Sequence, residues 1–128
     1  MFFDPLSLKC LLIEAAKVLA TEENDHYGAM HLLTHALKIQ CYYSSERNDP
    51  NTPYHSAPID TVVIETLMAR SLFALRDYMN ALYLSSNSYK YYSIEFGPKH
   101  ALTCEAERLC YEIVHEMTST RLNHALAA

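Results

Sequence analysis

Tryptophan is absent from this chain, and glycine occurs only twice in its 128 residues. So few glycines leave little room for the tight turns of a hairpin-rich β protein and favour long helices. No apolar run approaches the roughly 20 residues that span a bilayer, so no membrane partner is expected. Lysine and arginine number 10 against 15 aspartates and glutamates, a formal net charge of −5. With no basic cluster to offset that balance, nucleic acid is not an expected partner. The start of the chain, Met1-Phe2-Phe3-Asp4-Pro5, has neither a basic n-region nor a small-residue cleavage site, and no secretory signal is visible in it. Cys10, Cys41, Cys104 and Cys110 could make two disulfides, but they show no paired spacing, and the expectation is a reduced, intracellular setting, cytoplasmic or nuclear. Nothing resembles an activated nucleophile, a phosphate loop or a general acid–base pair. The expectation is a non-enzyme without a cofactor.

What is present is helical periodicity. Residues 1–128 are of single-domain size, and five helical segments separate along them. Asp4-Pro5 reads as an N-cap with proline at the first helical position, followed by Leu8, Leu11, Leu12, Ala15, Ala16 and Leu19. After the polar turn at residues 21–25, a second helix runs from about Asp25 to Tyr43. Pro50, Pro53 and Pro58 make Ser44 to Pro58 a loop, expected to be mobile or to anchor over a groove through Tyr54. The third helix covers Ile59 to Leu75 and the fourth Asp77 to Phe96, ended by Gly97-Pro98. A fifth covers Lys99 to Met117, and the tail from Thr118 to Ala128 is expected to fray. The third helix has apolar residues on more than one side, as a helix packed on two faces should. The fifth carries one stripe, Leu102, Ala106, Leu109, Ile113 and Met117, with Glu105, Arg108, Glu112 and Glu116 largely off it. That suits a terminal cap, so the expectation is a complete unit of two hairpins and a cap.

The most informative stretch is Leu67 to Leu82. Ala69 and Ala81 flank a turn at Arg76-Asp77, with Leu72, Leu75 and Tyr78 filling the wedge beside it. Helices approach closely only where the side chains at the crossing are small. Asp25-His26-Tyr27-Gly28-Ala29 corresponds to Asp77-Tyr78-Met79-Asn80-Ala81, and Ala36 to Ser88. The small residue of the first helix is Ala16, which fits if the first turn holds one extra residue. This pattern resembles the tetratricopeptide repeat, a helix-turn-helix unit that stacks into solenoids. The span from Tyr89 to His100, with its Phe96-Gly97-Pro98-Lys99-His100 junction, resembles the extended repeats of kinesin-light-chain type. It is also similar to the helical C-terminal region of SET/MYND lysine methyltransferases. No SET or MYND pattern accompanies it, so that chemistry does not carry over. The resemblance implies an all-α fold, a short tetratricopeptide-like solenoid of two antiparallel helical hairpins plus a C-terminal capping helix.

It also implies a non-enzymatic adaptor that binds a protein or peptide on the concave side, lined by the first helix of each hairpin. Counting from Ala69 places Thr66, Arg70 and Phe73 on that side. Counting from Ala16 adds Ile13 and Lys17, and taking Cys110 as the small position of the cap adds Glu107 and Tyr111. Thr66 and Arg70 do not reproduce the carboxylate clamp of the chaperone-tail binding subfamily. Lys17 and Arg70 would favour an acidic segment, with Phe73 and Tyr111 supplying apolar contact. The competing assignment puts Phe73 in the core. The alternative function is a helical assembly module, a homodimer or heterodimer without a peptide groove.

His31 and His35 stand at i and i+4 but lack a third ligand, so no stoichiometric zinc or iron is expected. Glu23 to His26 and Glu112 to His115 are both Glu-x-x-His, and with Glu14 and Glu65 would complete a ferritin-like di-metal set. Glu23 to His26 falls in a turn, which argues for coincidence. Cys104 and Cys110 read as small core residues. Ten tyrosines suit an interface or a half-buried packing. Of Tyr89, Tyr91 and Tyr92 at least one should be exposed, since successive helical residues diverge by about 100°.

Overall fold

The computed structural model describes residues 5–46 and 58–127. Asp4, most of the proline-containing loop with Tyr54, and Ala128 lie outside the described residues, and so do the expectations placed on them. Five α-helices and no strand occur among the described residues: α1 (Pro5–Thr21), α2 (His26–Glu46), α3 (Pro58–Ala74), α4 (Tyr78–Phe96) and α5 (Ala101–Ala127). Each helix packs on the next in order, while α1 also touches α3, and α3 touches α5. The fold is all-α, with two antiparallel hairpins, α1–α2 and α3–α4, and α5 laid against α4. No helix among the described residues is long and apolar enough to cross a membrane.

Helix boundaries differ from expectation at several ends. α2 continues to Glu46, and α3 starts at Pro58 itself, where a missing N–H costs nothing. α5 does not stop near Met117 but continues to Ala127. Its last residues are exposed and include Arg121, Leu122, Ala125 and Leu126, all good helix formers that need no packing partner to extend the ladder.

The hairpins repeat in register. Ala29, Leu33, Ala36 and Gln40 are the buried positions of α2, and Ala81, Ser85, Ser88 and Tyr92 those of α4, each 52 residues later. The first helices are offset by one more residue, so that Ala16 matches Ala69; both are buried. The cause is visible in the turns. Four residues, 22–25, separate α1 from α2, and three, 75–77, separate α3 from α4. In the second turn Arg76 takes a left-handed φ of 66°. Its N–H donates to the Phe73 carbonyl and that of Asp77 to the Leu72 carbonyl, at 3.0 and 2.9 Å. Those two bonds are the Schellman closure of a helix end. In the first turn Asn24 has the left-handed φ, 53°, and the Asp25 N–H reaches back to Leu19, one residue further. Both second helices then begin alike. Ala29 donates to the Asp25 carbonyl and Ala81 to that of Asp77, each at 3.0 Å. Asp25 also caps α2, its carboxylate accepting the Gly28 N–H at 2.9 Å.

The core divides between the hairpins. Ala16, Ala29, Leu33, Ala36 and Ile64 are buried together, with Ile13, Leu19 and Met68 against them. Ala69, Ala81, Leu109 and Ile113 form the second cluster, with Phe73, Tyr78 and Met117 around it. Lys9 ties the first three helices at one end. Its side chain is nearly buried, donates to Gln40 Oε1 at 2.7 Å and lies 3.5 Å from Asp60.

The α4–α5 junction explains its sequence. Gly97 holds φ 87° and caps α4 through a bond to the Ser93 carbonyl. His100 stacks on Phe96 with ring centres 4.7 Å apart, and Phe96 stacks on buried Tyr92. The His100 carbonyl accepts the Cys104 N–H, and its Nδ1 accepts that of Leu102, so histidine serves as the N-cap of α5. Tyr89 and Tyr91 are half-buried, and Tyr91 meets Tyr92 edge-on, so none of the three tyrosines is fully exposed as expected. Cys104 is exposed and Cys110 half-buried, so neither is a core residue; Thr103 and Ala106 take the buried positions instead.

Candidate functional site

One side of the molecule is lined by α1, α3 and α5. Between α1 and α3 lies a cavity of about 180 Å³ bounded by Ala16, Lys17, Ala20, Thr21, His26, Leu33, Leu67, Arg70 and Ser71. Its size compares with a cavity that admits benzene. The small residues of α1 leave this space, because alanine side chains cannot fill the gap that α3 leaves beside them. Lys17 and Arg70 stand at its rim. They occupy the same position in the two hairpins, each one residue after the buried alanine, Ala16 or Ala69.

Arg70 also borders a second cleft of about 230 Å³, between α3 and α5, with Glu105, Arg108, Leu109 and Glu112. Arg70 Nη2 lies 3.9 Å from Glu105, and Lys17 Nζ lies 3.2 Å from Glu14, both pairs half-exposed. Exposed pairs of this kind contribute little, roughly 0–1 kcal/mol, so an incoming carboxylate can displace them. The face therefore joins an apolar hole with two cations at its edge to a polar cleft of mixed charge.

The expected site residues separate into two groups. Lys17 and Arg70 meet at the cavity. Ile13 packs half-buried against the first core cluster. Phe73 is partly buried against the second cluster, with its ring centre 5.9 Å from that of Tyr78. Thr66 faces α4, with Oγ1 2.7 Å from the Val62 carbonyl oxygen and 2.8 Å from Ser88 Oγ. Glu107 and Tyr111 border neither cavity nor cleft. Cys110 is not the small buried position of α5; Ala106 is, and the side of α5 toward Arg70 presents Glu105, Arg108 and Glu112 instead. Ala20, Leu67 and Ser71 line the cavity without being among the expected residues.

Among the described residues no three His, Cys, Asp or Glu side chains gather as a structural or catalytic metal centre would require. Glu112, His115 and Glu14 are exposed. Glu65 is half-buried, and burial raises its carboxyl above the ordinary value. Burial also raises the Tyr92 phenol, with the Thr66 hydroxyl acting in the opposite direction. Comparison with protein-family models, with curated proteins and with solved structures finds no match to the chain.

Proposed function

We propose that the chain is a tetratricopeptide-like adaptor that holds an extended peptide segment along the face formed by α1, α3 and α5. The observation that carries this reading is the placement of Lys17 and Arg70. Two repeat-equivalent cations border one apolar cavity, an arrangement suited to an apolar side chain flanked by carboxylates. The mixed charges of the second cleft would then receive a polar residue further along the segment. Peptides selected on the intact chain from a random library should be enriched in an aromatic or aliphatic residue beside Asp or Glu. Their chemical-shift footprint should fall on Lys17, Ala20, Leu67, Arg70 and Ser71. Selection of sequences without that pattern, or a footprint on α2 and α4, would remove the reading.

A self-assembly module is the second reading, favoured by Leu8, Leu11 and Val18, which α1 leaves exposed on its outer side. It requires a dimer in light scattering, whereas the peptide adaptor operates as a monomer.

A further inference from the structure

The paired histidines of α2 are unused by the groove. His31 and His35 are both exposed, and their rings meet edge to face with centres 4.7 Å apart. A metal–nitrogen bond of about 2.0–2.1 Å puts each ring centre about 3.2 Å from a shared ion. Bond angles between square-planar and tetrahedral then separate the two centres by about 4.5–5.2 Å. The observed spacing falls in that interval, so the two ring centres are as far apart as those of two imidazoles sharing one ion. Within one turn of the two histidines, from Tyr27 to Ile39, α2 carries no aspartate or glutamate, which leaves hard cations such as Mg²⁺ and Ca²⁺ no carboxylate from that stretch.

We propose that His31 and His35 form a bidentate surface site for a borderline divalent transition-metal ion, Ni²⁺, Cu²⁺ or Zn²⁺, with water in the remaining positions. Two ligands instead of three or four make it an exchangeable site. It is emptied by chelators and distinct from a structural or catalytic zinc centre. Imidazole suits all three ions, and the affinity order follows their general preference, copper first.

Titrating the intact chain with NiCl₂ tests this without oxidising its thiols. Calorimetry should find one ion per chain, and paramagnetic broadening should be centred on the His31 and His35 ring signals. Replacing either histidine, His31→Ala or His35→Ala, removes the advantage of a second ligand held on the same helix. Each should weaken binding on the order of tenfold or more, while His124→Ala on α5 should leave it unchanged. Nickel should raise the melting midpoint of the wild-type chain more than that of either variant. Equal affinity in wild type and His31→Ala, or equal binding of MgCl₂, would overturn the site.

Discussion

Thr66 Oγ1 and Ser88 Oγ lie 2.8 Å apart, joining the third helix to the fourth at the position where the first hairpin has Ala36. Ser88 is buried. Replacing Thr66 by valine keeps its shape and deletes that bond. It should lower stability by about 0.5–1.5 kcal/mol, because the Ser88 hydroxyl loses its partner on the third helix. Peptide affinity should be unchanged, since Thr66 does not border the cavity. Chemical denaturation and a binding titration on the same variant check both halves.

Ala69 and Ala81 are fully buried in one cluster. Substituting Ala81→Leu forces a larger side chain into that crossing and should cost about 1–3 kcal/mol. An unchanged melting midpoint would mean that α3 and α4 do not meet there.

Arg76 pays a conformational cost for ending α3 without glycine, its φ being 66°. The left-handed region disfavours side chains with a Cβ by about 1–2 kcal/mol, and the freer unfolded chain of a glycine variant returns part of that. Arg76→Gly should therefore raise stability by about 0.5–1 kcal/mol, measured by denaturant midpoint. A loss of stability would show that the arginine side chain contributes contacts that outweigh the strain.

Glu65 gives a pH test. Burial raises its folded-state carboxyl above the ordinary value of 4.5. The folded chain therefore keeps this proton to higher pH than the unfolded chain does. Its contribution to stability is fully present below about pH 4.5 and is lost as pH rises through the folded value. Glu65→Gln should accordingly be more stable than wild type at pH 7, with the difference shrinking toward zero in acid. A difference that instead grows as the pH falls would contradict that sign.

Much of this architecture was legible because small residues at helix crossings leave a sequence trace. Ala16, Ala29, Ala69 and Ala81 mark both hairpins, and the extra residue expected in the first turn is there. Gly97-Pro98 announced the end of α4 for a backbone reason, a positive φ. The α5 face was read wrongly because that helix is polar on most sides and offers two candidate small positions. Choosing Cys110 over Ala106 rotates the expected contact face away from Glu105, Arg108 and Glu112. Thr66 and Phe73 do not border the cavity, for a related reason. Both flank Ala69 by helical spacing, but α3 is packed on two sides, and periodicity alone does not say which flank faces α4. The cavity itself follows from what Ala16 and Ala20 fail to fill, which no single residue announces.

The most direct test of the account reverses the charge at the rim of that cavity. A peptide selected on the wild-type chain would be titrated against Arg70→Glu by fluorescence polarisation, with an amide spectrum recorded to show that the fold persists. Arg70 is exposed and its ion pair with Glu105 is long at 3.9 Å, so folding should survive the change. The account predicts an intact spectrum and a loss of affinity of roughly tenfold or more, consistent with losing a charged partner and gaining a repulsive one. An intact spectrum with unchanged affinity would contradict the groove.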